Sequence, residues 1–180
     1  MRIVGGEYSG HRFSPPANKW PTRPTTDIAK EALYNILSNQ IDFEEIKFLD
    51  LFGGTGSHCY ECISRGCEDA SYVDRHAPAV AFVETMRDKL DAKEKLKIYK
   101  QNVFSFIKKS TEQYDYIFCG PPYPLKTISE LPDLIIEADM ISPEGLLVLE
   151  HNPHVDVSKH PNLKDQRNYG ETFFSFFKLS

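Results

Sequence analysis

The sequence predicts one α/β domain in which a mostly parallel sheet is covered by helices on both faces. Its length of 180 residues suits a single domain. Short, nearly all-apolar segments of strand length alternate with helical segments, which is typical of parallel strands buried by helices. Two of these strands run directly into a glycine-rich or a proline-rich turn. The last strand is expected to be antiparallel to its neighbours.

Glycines and prolines punctuate the beginning of the chain. Residues 1–24 show no helical period, so they are predicted to form an arm or a small hairpin, separate from a domain over residues 25–180. Thr25 or Thr26 then caps a helix that is expected to end near Asn39, because apolar residues recur there at spacings of three and four.

The remaining elements follow from changes in the apolar pattern. Strands are predicted at residues 48–52, 70–74, 96–100, 114–120, 145–151 and 172–179. Helices are predicted after residue 57, from about residue 77 with Pro78 in the first turn, at 103–109 and around 128–138. The aromatic residues at 173–177 are expected to pack on both faces at an edge of the sheet.

The composition excludes several classes of protein. With 41% hydrophobic and 26% charged residues it is that of an ordinary globular domain. The sequence has neither the apolar run of a membrane span nor that of a secretory signal. Four cysteines suit free thiols in a reducing compartment, so a cytoplasmic location without membrane association is expected.

The charge is distributed unevenly. The net charge of −5 argues against a general nucleic-acid binder. Residues 1–30, however, carry five basic and two acidic side chains, against 16 basic and 24 acidic ones in the rest. A basic end on an acidic body favours contact with a polyanion through that end alone, although a chance excess is the alternative.

Polar and turn-forming residues follow four of the predicted parallel strands. In a parallel α/β sheet, ligands bind beyond the carboxyl ends of the strands, where the strand order switches. The rule selects four segments, at residues 50–57, 74–75, 102–103 and 120–123. We expect the fold to gather them at one edge of the sheet.

The first two segments point to a nucleoside ligand. The glycines of DLFGGTG at residues 50–56 let the backbone turn tightly and approach a ligand, or they make a plain tight turn. Asp74 ends the next strand, where a carboxylate can accept both hydroxyls of a ribose or can cap the following helix. Together the loop and the carboxylate favour a nucleoside.

GPPY at residues 120–123 is the most informative fragment. Two prolines fix the backbone and present the preceding carbonyl groups rigidly. Tyr123 offers a flat face on which a planar base can stack, at a gain of about 1–3 kcal/mol.

Taken together, these motifs resemble the RsmD family, bacterial S-adenosylmethionine-dependent methyltransferases that modify a guanine N2 of small-subunit ribosomal RNA. The resemblance covers nearly the whole chain. Its pieces are RIVGGEYSG (2–10), RPTTDIAKEALYNIL (23–37), DLFGGTGS (50–57), YVD (72–74), GPPY (120–123), GLLVLEH (145–151) and RNYGETFFSF (167–176).

The resemblance implies a Rossmann-like class I methyltransferase fold and a role for each matching position. The residues implied to bind S-adenosylmethionine are Asp50, Phe52, Gly53, Gly54, Thr55, Gly56, Asp74, Arg75, Asn102 and Val103. Those implied to receive the flipped guanine at the catalytic turn are Gly120, Pro121, Pro122 and Tyr123. Those implied to contact the RNA are Arg2, Arg12, Arg23, Thr25, Thr26 and Tyr123. The implied partner is small-subunit ribosomal RNA or the assembling 30S particle, and a monomer is expected.

One position departs from the family pattern. The family has Asp or Asn before Pro-Pro-Tyr, whereas this chain has Gly120. The missing oxygen would accept a hydrogen bond from the amine and stabilise the charge that develops on the attacking nitrogen. Such a bond is worth about 1.5–3 kcal/mol, so we expect a methyltransferase that is slow or inactive as it stands.

Several alternatives stay open. The protein could be a homologue that binds S-adenosylmethionine and RNA or ribosomes without catalysis, or a methyltransferase acting on adenine N6 or glutamine N5. A metal site is not expected, because Cys59 and Cys62 lack a second pair of ligands. His58 is expected in the first turn of a helix, and His151 either borders the substrate pocket or lies in a solvated loop.

Overall fold

The computed structural model describes residues 1–21 and 23–180. Within them the strands are β1 (Lys47–Leu51), β2 (Asp69–Asp74), β3 (Leu96–Lys100), β4 (Tyr114–Cys119), β5 (Ile141–His151), β6 (Leu163–Tyr169) and β7 (Thr172–Phe177). The α-helices are α1 (Asp27–Leu37), α2 (Ser57–Ser64), α3 (Ala77–Lys89), α4 (Val103–Lys109) and α5 (Leu131–Glu137). Short 3-10 helices occur at Ala17–Lys19, Phe43–Glu45 and Ile128–Glu130.

The strands form one sheet in the order β3-β2-β1-β4-β5-β7-β6. Strands β1 to β5 pair in parallel, and β7 pairs antiparallel with both β5 and β6. Apolar side chains on one face of the sheet pack against α1, α2 and α3, and those on the other face pack against α4 and α5. The predicted parallel α/β sheet with an antiparallel last strand is therefore confirmed. The strand order reverses next to β1, so the carboxyl ends of β1 and β4 flank the switch point.

The structure also corrects several sequence-based expectations. Helix α1 ends at Leu37 rather than near Asn39, because Ser38 already leaves the helix as its C-cap. Strand β6 was not predicted, and it covers β7, so the aromatic residues at 173–177 pack on both faces of an inner strand and not at an edge. The helical segment predicted around 128–138 is confirmed, and it consists of a 3-10 turn followed by α5.

Residues near the N-terminus form a hairpin that packs on the domain. Arg2 and Arg12 form an antiparallel bridge, and the side chains of Ile3 and Phe13 are buried in the same core as α1 and α2. The backbone amides of Val4 and Gly5 donate to the Glu61 carboxylate at 3.0 and 2.9 Å.

A buried ion pair lies beneath this hairpin. The ammonium group of Lys30 is 3.4 Å from Glu61 Oε2, and neither side chain is exposed. The same ammonium group donates to the carbonyl of Arg2 at 2.7 Å and to the hydroxyl of Ser57 at 2.8 Å. Burial lowers the pKa of Lys30, and the neighbouring Glu61 carboxylate opposes that shift. The pair joins the hairpin, α1 and α2.

No helix in the described ranges has the length and apolarity needed to cross a bilayer.

Candidate functional site

A cavity of about 760 Å³ opens at the carboxyl ends of the central strands. The four segments selected from the sequence meet there, together with the chain that enters α1. The predicted site residues that line it are Arg23, Thr25, Asp50, Phe52, Gly53, Gly54, Thr55, Asp74, Arg75, Asn102, Val103, Gly120, Pro121, Pro122 and Tyr123. Arg23 and Tyr123, 100 residues apart in sequence, thus line the same cavity.

Four predicted site residues are not brought to this cavity. Gly56 has φ +76° and turns the chain into α2, where an added Cβ would lie 2.5 Å from the hydroxyl of Tyr60. Thr26 caps α1, accepting a hydrogen bond from the Ala29 amide at 3.2 Å. Arg2 pairs with Glu31 at 3.2 Å, and Arg12 is exposed on the hairpin.

The loop after β1 follows a path that only glycine permits at one position. An added Cβ at Gly53 would lie 2.3 Å from the ring of Tyr72, so no side chain fits there. Phe52 has φ 60° and Gly54 has φ 51°, both left-handed conformations. The Tyr72 hydroxyl donates to the carbonyl of Gly54 at 2.8 Å. Tyr72 therefore fixes the course of the loop, and Gly53 and Gly54 line the cavity.

Asp74 fixes this loop and the start of α3. Its carboxylate accepts hydrogen bonds from the amides of Gly54 at 2.9 Å and His76 at 2.8 Å. The side chain is 8% exposed and faces the cavity. Each carboxylate oxygen can accept more than one bond, so bracing the backbone leaves room for ligand hydroxyls. The two roles expected from the sequence are compatible.

Asp50 is a second carboxylate at the bottom of the cavity, and it is 1% exposed. Burial raises its pKa well above the usual range; the thiol of Cys59, which donates to it at 3.5 Å, acts in the opposite direction. A cationic ligand would stabilise the charged form of this group.

The opposite wall of the cavity is mainly apolar and aromatic. Phe52 and Phe104 pack edge to face with ring centroids 6.1 Å apart, and Asn102 caps α4. Among the described residues, the buried Nε2 of His76 has no hydrogen-bond partner. Trp20 covers this end, with its ring 5.7 Å from that of His76. A polar group of a ligand could satisfy the imidazole.

The proline turn after β4 forms the outer end of the cavity. Gly120 donates to the carbonyl of Leu51 at 3.2 Å, which joins the ends of β4 and β1. The Arg23 guanidinium lies 5.4 Å from the centroid of the Tyr123 ring. Burial raises the pKa of Tyr123 to about 12, so its hydroxyl stays protonated and can donate. It donates to Glu150 at 3.3 Å.

Sequence reasoning missed several residues of this site, among them Glu150, His76 and Phe104, and left His58 without a role. His58 lies in the first turn of α2 as expected, and it also lines the cavity. Glu150 lies one residue before the end of β5 and is buried against the cavity. The signal was available, because Asp50 and Asp74 are likewise carboxylates at or near the ends of apolar strands. His151, by contrast, neither borders the cavity nor lies in a loop: it is buried in β5 and bonds to the Ser175 hydroxyl at 2.7 Å.

The four cysteines are free and buried, and the described residues contain no group of three or more His, Cys, Asp or Glu side chains arranged to hold a metal.

Comparison with known proteins places this site in a family. The family model described as "Conserved hypothetical protein 95" matches residues 1–178. YlbH of Bacillus subtilis is 28% identical over 184 residues, covering 99% of this chain and 98% of its own. The ribosomal RNA small subunit methyltransferase D of Buchnera aphidicola is 27% identical, covering 83% of this chain and 75% of its own.

Solved structures show the same fold. A hypothetical protein of Thermus thermophilus has a TM-score of 0.85 at 24% identity, covering 99% of both chains. A SAM-dependent methyltransferase of Agrobacterium tumefaciens has a TM-score of 0.61 at 14% identity, covering 84% of this chain and 62% of its own. The architecture is thus the Rossmann-like class I methyltransferase fold. Because the family model matches residues 1–178, the chain belongs to the RsmD-type family.

Proposed function

We propose that this protein transfers a methyl group from S-adenosylmethionine to the exocyclic N2 amine of a guanine in small-subunit ribosomal RNA. One observation carries the proposal: the glycine loop, Asp74 and the proline turn line a single cavity of about 760 Å³. That volume is within the range of small-molecule and cofactor sites. Membership of the family, in which relatives are named ribosomal RNA methyltransferases, supports this activity.

The residues present fit S-adenosylmethionine. Gly53 and Gly54 line the cavity without a side chain, the His76 imidazole offers an unsatisfied nitrogen among the described residues, and Asp50 offers a buried carboxylate to a cation. Asp74 would hold the ribose hydroxyls. The methionine end would be held by Asp50 and by the loop residues Phe52, Gly53, Gly54 and Thr55, and the turn at Gly56 would set the course of that loop. The adenine would be flanked by Arg75, Asn102 and Val103. When bound, the cofactor supplies an electrophilic methyl group.

The outer end of the cavity suits a base that has been flipped out of its stack. The turn of Gly120, Pro121 and Pro122 would line the edge of the base, and the Tyr123 ring would stack on its face. Thr25 lies within this end of the cavity, and Thr26 holds the start of α1 beside it.

The basic residues of the first 24 positions would contact RNA phosphates. Arg12, Lys19 and Arg23 are exposed, and Arg23 stands at the mouth of the cavity. Arg2 forms an exposed pair with Glu31, which a phosphate could replace at little cost. The remaining acidic surface would discourage contact elsewhere.

A second candidate function rests on Gly120. A homologue that binds S-adenosylmethionine and ribosomes without catalysis would not need an oxygen at this position. The packing there also favours glycine, because an added Cβ would lie 2.9 Å from Cε1 of Phe118, whose ring is stacked on His58 with centroids 3.6 Å apart.

A methyl-transfer assay separates the two. The protein is incubated with methyl-labelled S-adenosylmethionine and 30S particles that lack the family's modification, and the RNA is digested to nucleosides. We expect label in N2-methylguanosine, strong loss of label with Tyr123→Ala, and full label with Glu84→Gln, an exposed carboxyl on α3. Cofactor binding without any label would favour the non-catalytic homologue, and label in N6-methyladenosine or in protein would contradict the guanine assignment.

A further inference from the structure

Glu150 lies beside Gly120, the position at which the family has Asp or Asn. Strands β4 and β5 pair in parallel with Cys119 opposite Leu149, so the next residues along, Gly120 and Glu150, are neighbours across the sheet. Directly paired residues project to the same face. The ideal Cβ at Gly120 points towards Phe118, on the face where α2 packs, and Glu150 projects to that face as well.

The Glu150 carboxylate is held in the cavity by hydroxyl donors. The side chain is 5% exposed. The Thr25 hydroxyl donates to Oε2, and the Tyr123 hydroxyl donates to Oε1 at 3.3 Å. Each oxygen therefore has capacity for a further bond, and the cavity is the space available for its donor.

The surroundings of Glu150 are polar but mainly uncharged. From α2, His58 lies 3.0 Å from the Thr25 hydroxyl, and burial lowers the pKa of this imidazole, so it is neutral. The Tyr34 hydroxyl of α1 lies 3.3 Å from the other nitrogen of the same ring. The charged or titratable groups that act on Glu150 from other elements are Arg23 before α1, Tyr123 after β4 and Asp50 at the end of β1.

We propose that Glu150 accepts a hydrogen bond from the exocyclic amine of the target base and takes the proton that this amine loses on methylation. The inference rests on the proposed function and adds a catalytic residue to it. Glu150 would supply, from the neighbouring strand, the carboxylate function that Gly120 lacks.

The chemistry requires such an acceptor. In the transfer, the lone pair of the amine forms the new N–C bond while the C–S bond of the donor breaks and its electron pair stays on sulfur. The nitrogen then carries one positive charge and must release one proton. A carboxylate at hydrogen-bond distance stabilises that charge as it develops and removes the proton.

The protonation state of Glu150 suits this task at neutral pH. Burial raises its pKa to about 7, although the hydrogen bonds from Thr25 and Tyr123 and the charge of Arg23 act in the opposite direction. Only the ionised form can accept the proton. The transfer rate should therefore rise with pH up to about 7 and level off above it.

The first test is the pH dependence of methyl transfer for the wild type, Glu150→Gln and Glu84→Gln. At pH 8 we expect Glu150→Gln to be about 100-fold slower and to lose the rise with pH, because its amide can accept a hydrogen bond but not a proton. Glu84→Gln should match the wild type. An unchanged rate and midpoint in Glu150→Gln would overturn the inference.

The second test needs no turnover. In the presence of S-adenosylhomocysteine, affinities for guanosine and inosine are compared, since inosine lacks the 2-amino group. We expect the wild type to prefer guanosine about 10-fold or more, Glu150→Ala to lose this preference, and Glu150→Gln to retain most of it. A wild type without the preference, or Glu150→Ala with it, would contradict the inference.

A third readout checks that Glu150 titrates where expected. A carboxyl whose pKa is higher in the folded than in the unfolded state stabilises the fold at low pH, and this contribution is lost as the pH rises to about 7. Glu150→Gln should therefore unfold at a higher temperature than the wild type at pH 8 and at the same temperature at pH 4. Equal unfolding temperatures at both pH values would contradict the assignment.

The outcomes separate this inference from the proposed function. A wild type that binds the cofactor and prefers guanosine, but transfers no methyl group, would refute the activity and leave the contact with Glu150 standing. If the wild type methylates guanine and Glu150→Gln does so equally fast, the proposed activity stands and the role of Glu150 is refuted.

Discussion

At the scale of single residues, the site is organised by three carboxylates near the ends of parallel strands. Asp74 accepts two backbone amides and holds the loop after β1. Asp50 is buried with a raised pKa and faces a region that suits a cation. Glu150 is buried against two hydroxyl donors with a pKa of about 7. The same type of side chain thus has three roles, because the groups around each carboxylate differ.

Gly120 gives the most specific prediction at this scale. Gly120→Asp adds a second oxygen acceptor for the two N–H groups of the amine, so methyl transfer should become faster. A charge-assisted hydrogen bond would raise the rate of methyl transfer by about 10- to 150-fold. The gain is reduced because the Phe118 ring must move, since an added Cβ would approach it to 2.9 Å. Single-turnover rates on 30S particles measure the change.

The matched control is Gly120→Ala. It carries the same steric cost at Phe118 but brings no oxygen, so it should be no faster than the wild type. If the aspartate variant proves no faster than the alanine variant, the explanation of the departure at position 120 is wrong.

At the scale of elements, the central strands could be predicted and the far edge of the sheet could not. Strands β1, β2 and β4 are short, mainly apolar runs buried on both faces, which is a strong sequence signal. Strand β6 reads LKDQRNY, because as an edge strand it leaves most side chains in water. The sequence predicts the start of β5 at residue 145 rather than Ile141, because Pro143 and Gly145 interrupt the apolar pattern. The pairing with β4 is irregular there, with a register shift between Tyr114 and Tyr116. The sequence places Glu150 near the end of an apolar strand, but its position beside Gly120 follows only from the pairing of β4 with β5.

The coupling of the glycine loop to β2 gives a prediction about ligand binding. Asp74→Asn replaces one carboxylate oxygen by an NH₂ group, which cannot accept a hydrogen bond. The backbone amide that donates to that oxygen, Gly54 or His76, therefore loses its acceptor and faces another donor. We expect S-adenosylhomocysteine to bind at least 10-fold more weakly, since charge-assisted bonds to the ribose are lost as well. Trp20 is the single tryptophan and packs on His76 and Phe82 near the cavity, so its fluorescence can follow the titration. Wild-type affinity in Asp74→Asn would count against a ribose contact, and Glu84→Gln serves as the control.

At the scale of the whole molecule, the buried pair of Lys30 and Glu61 ties the N-terminal hairpin to the domain. Removing one member leaves a buried charge without its partner and also frees the amides of Val4 and Gly5. Glu61→Ala should lower the free energy of unfolding by about 3–5 kcal/mol in urea titrations. It should also speed hydrogen exchange at those two amides.

Glu68 provides the comparison. It pairs with Lys95 at 2.8 Å on the surface, where its side chain is 65% exposed. Glu68→Ala should change the free energy of unfolding by no more than about 1 kcal/mol. Similar losses in the two variants would mean that the buried pair does not secure the hairpin.

Cofactor binding in this protein requires four separate chain segments to meet around one ligand. A crystal structure of the protein with S-adenosylhomocysteine tests this most directly. We expect the ribose hydroxyls at the Asp74 carboxylate, the adenine near Asn102 and Val103, and the sulfur on the side of the cavity that faces Tyr123 and Glu150. A ligand bound elsewhere on the surface, or a ribose that does not contact Asp74, would contradict the account.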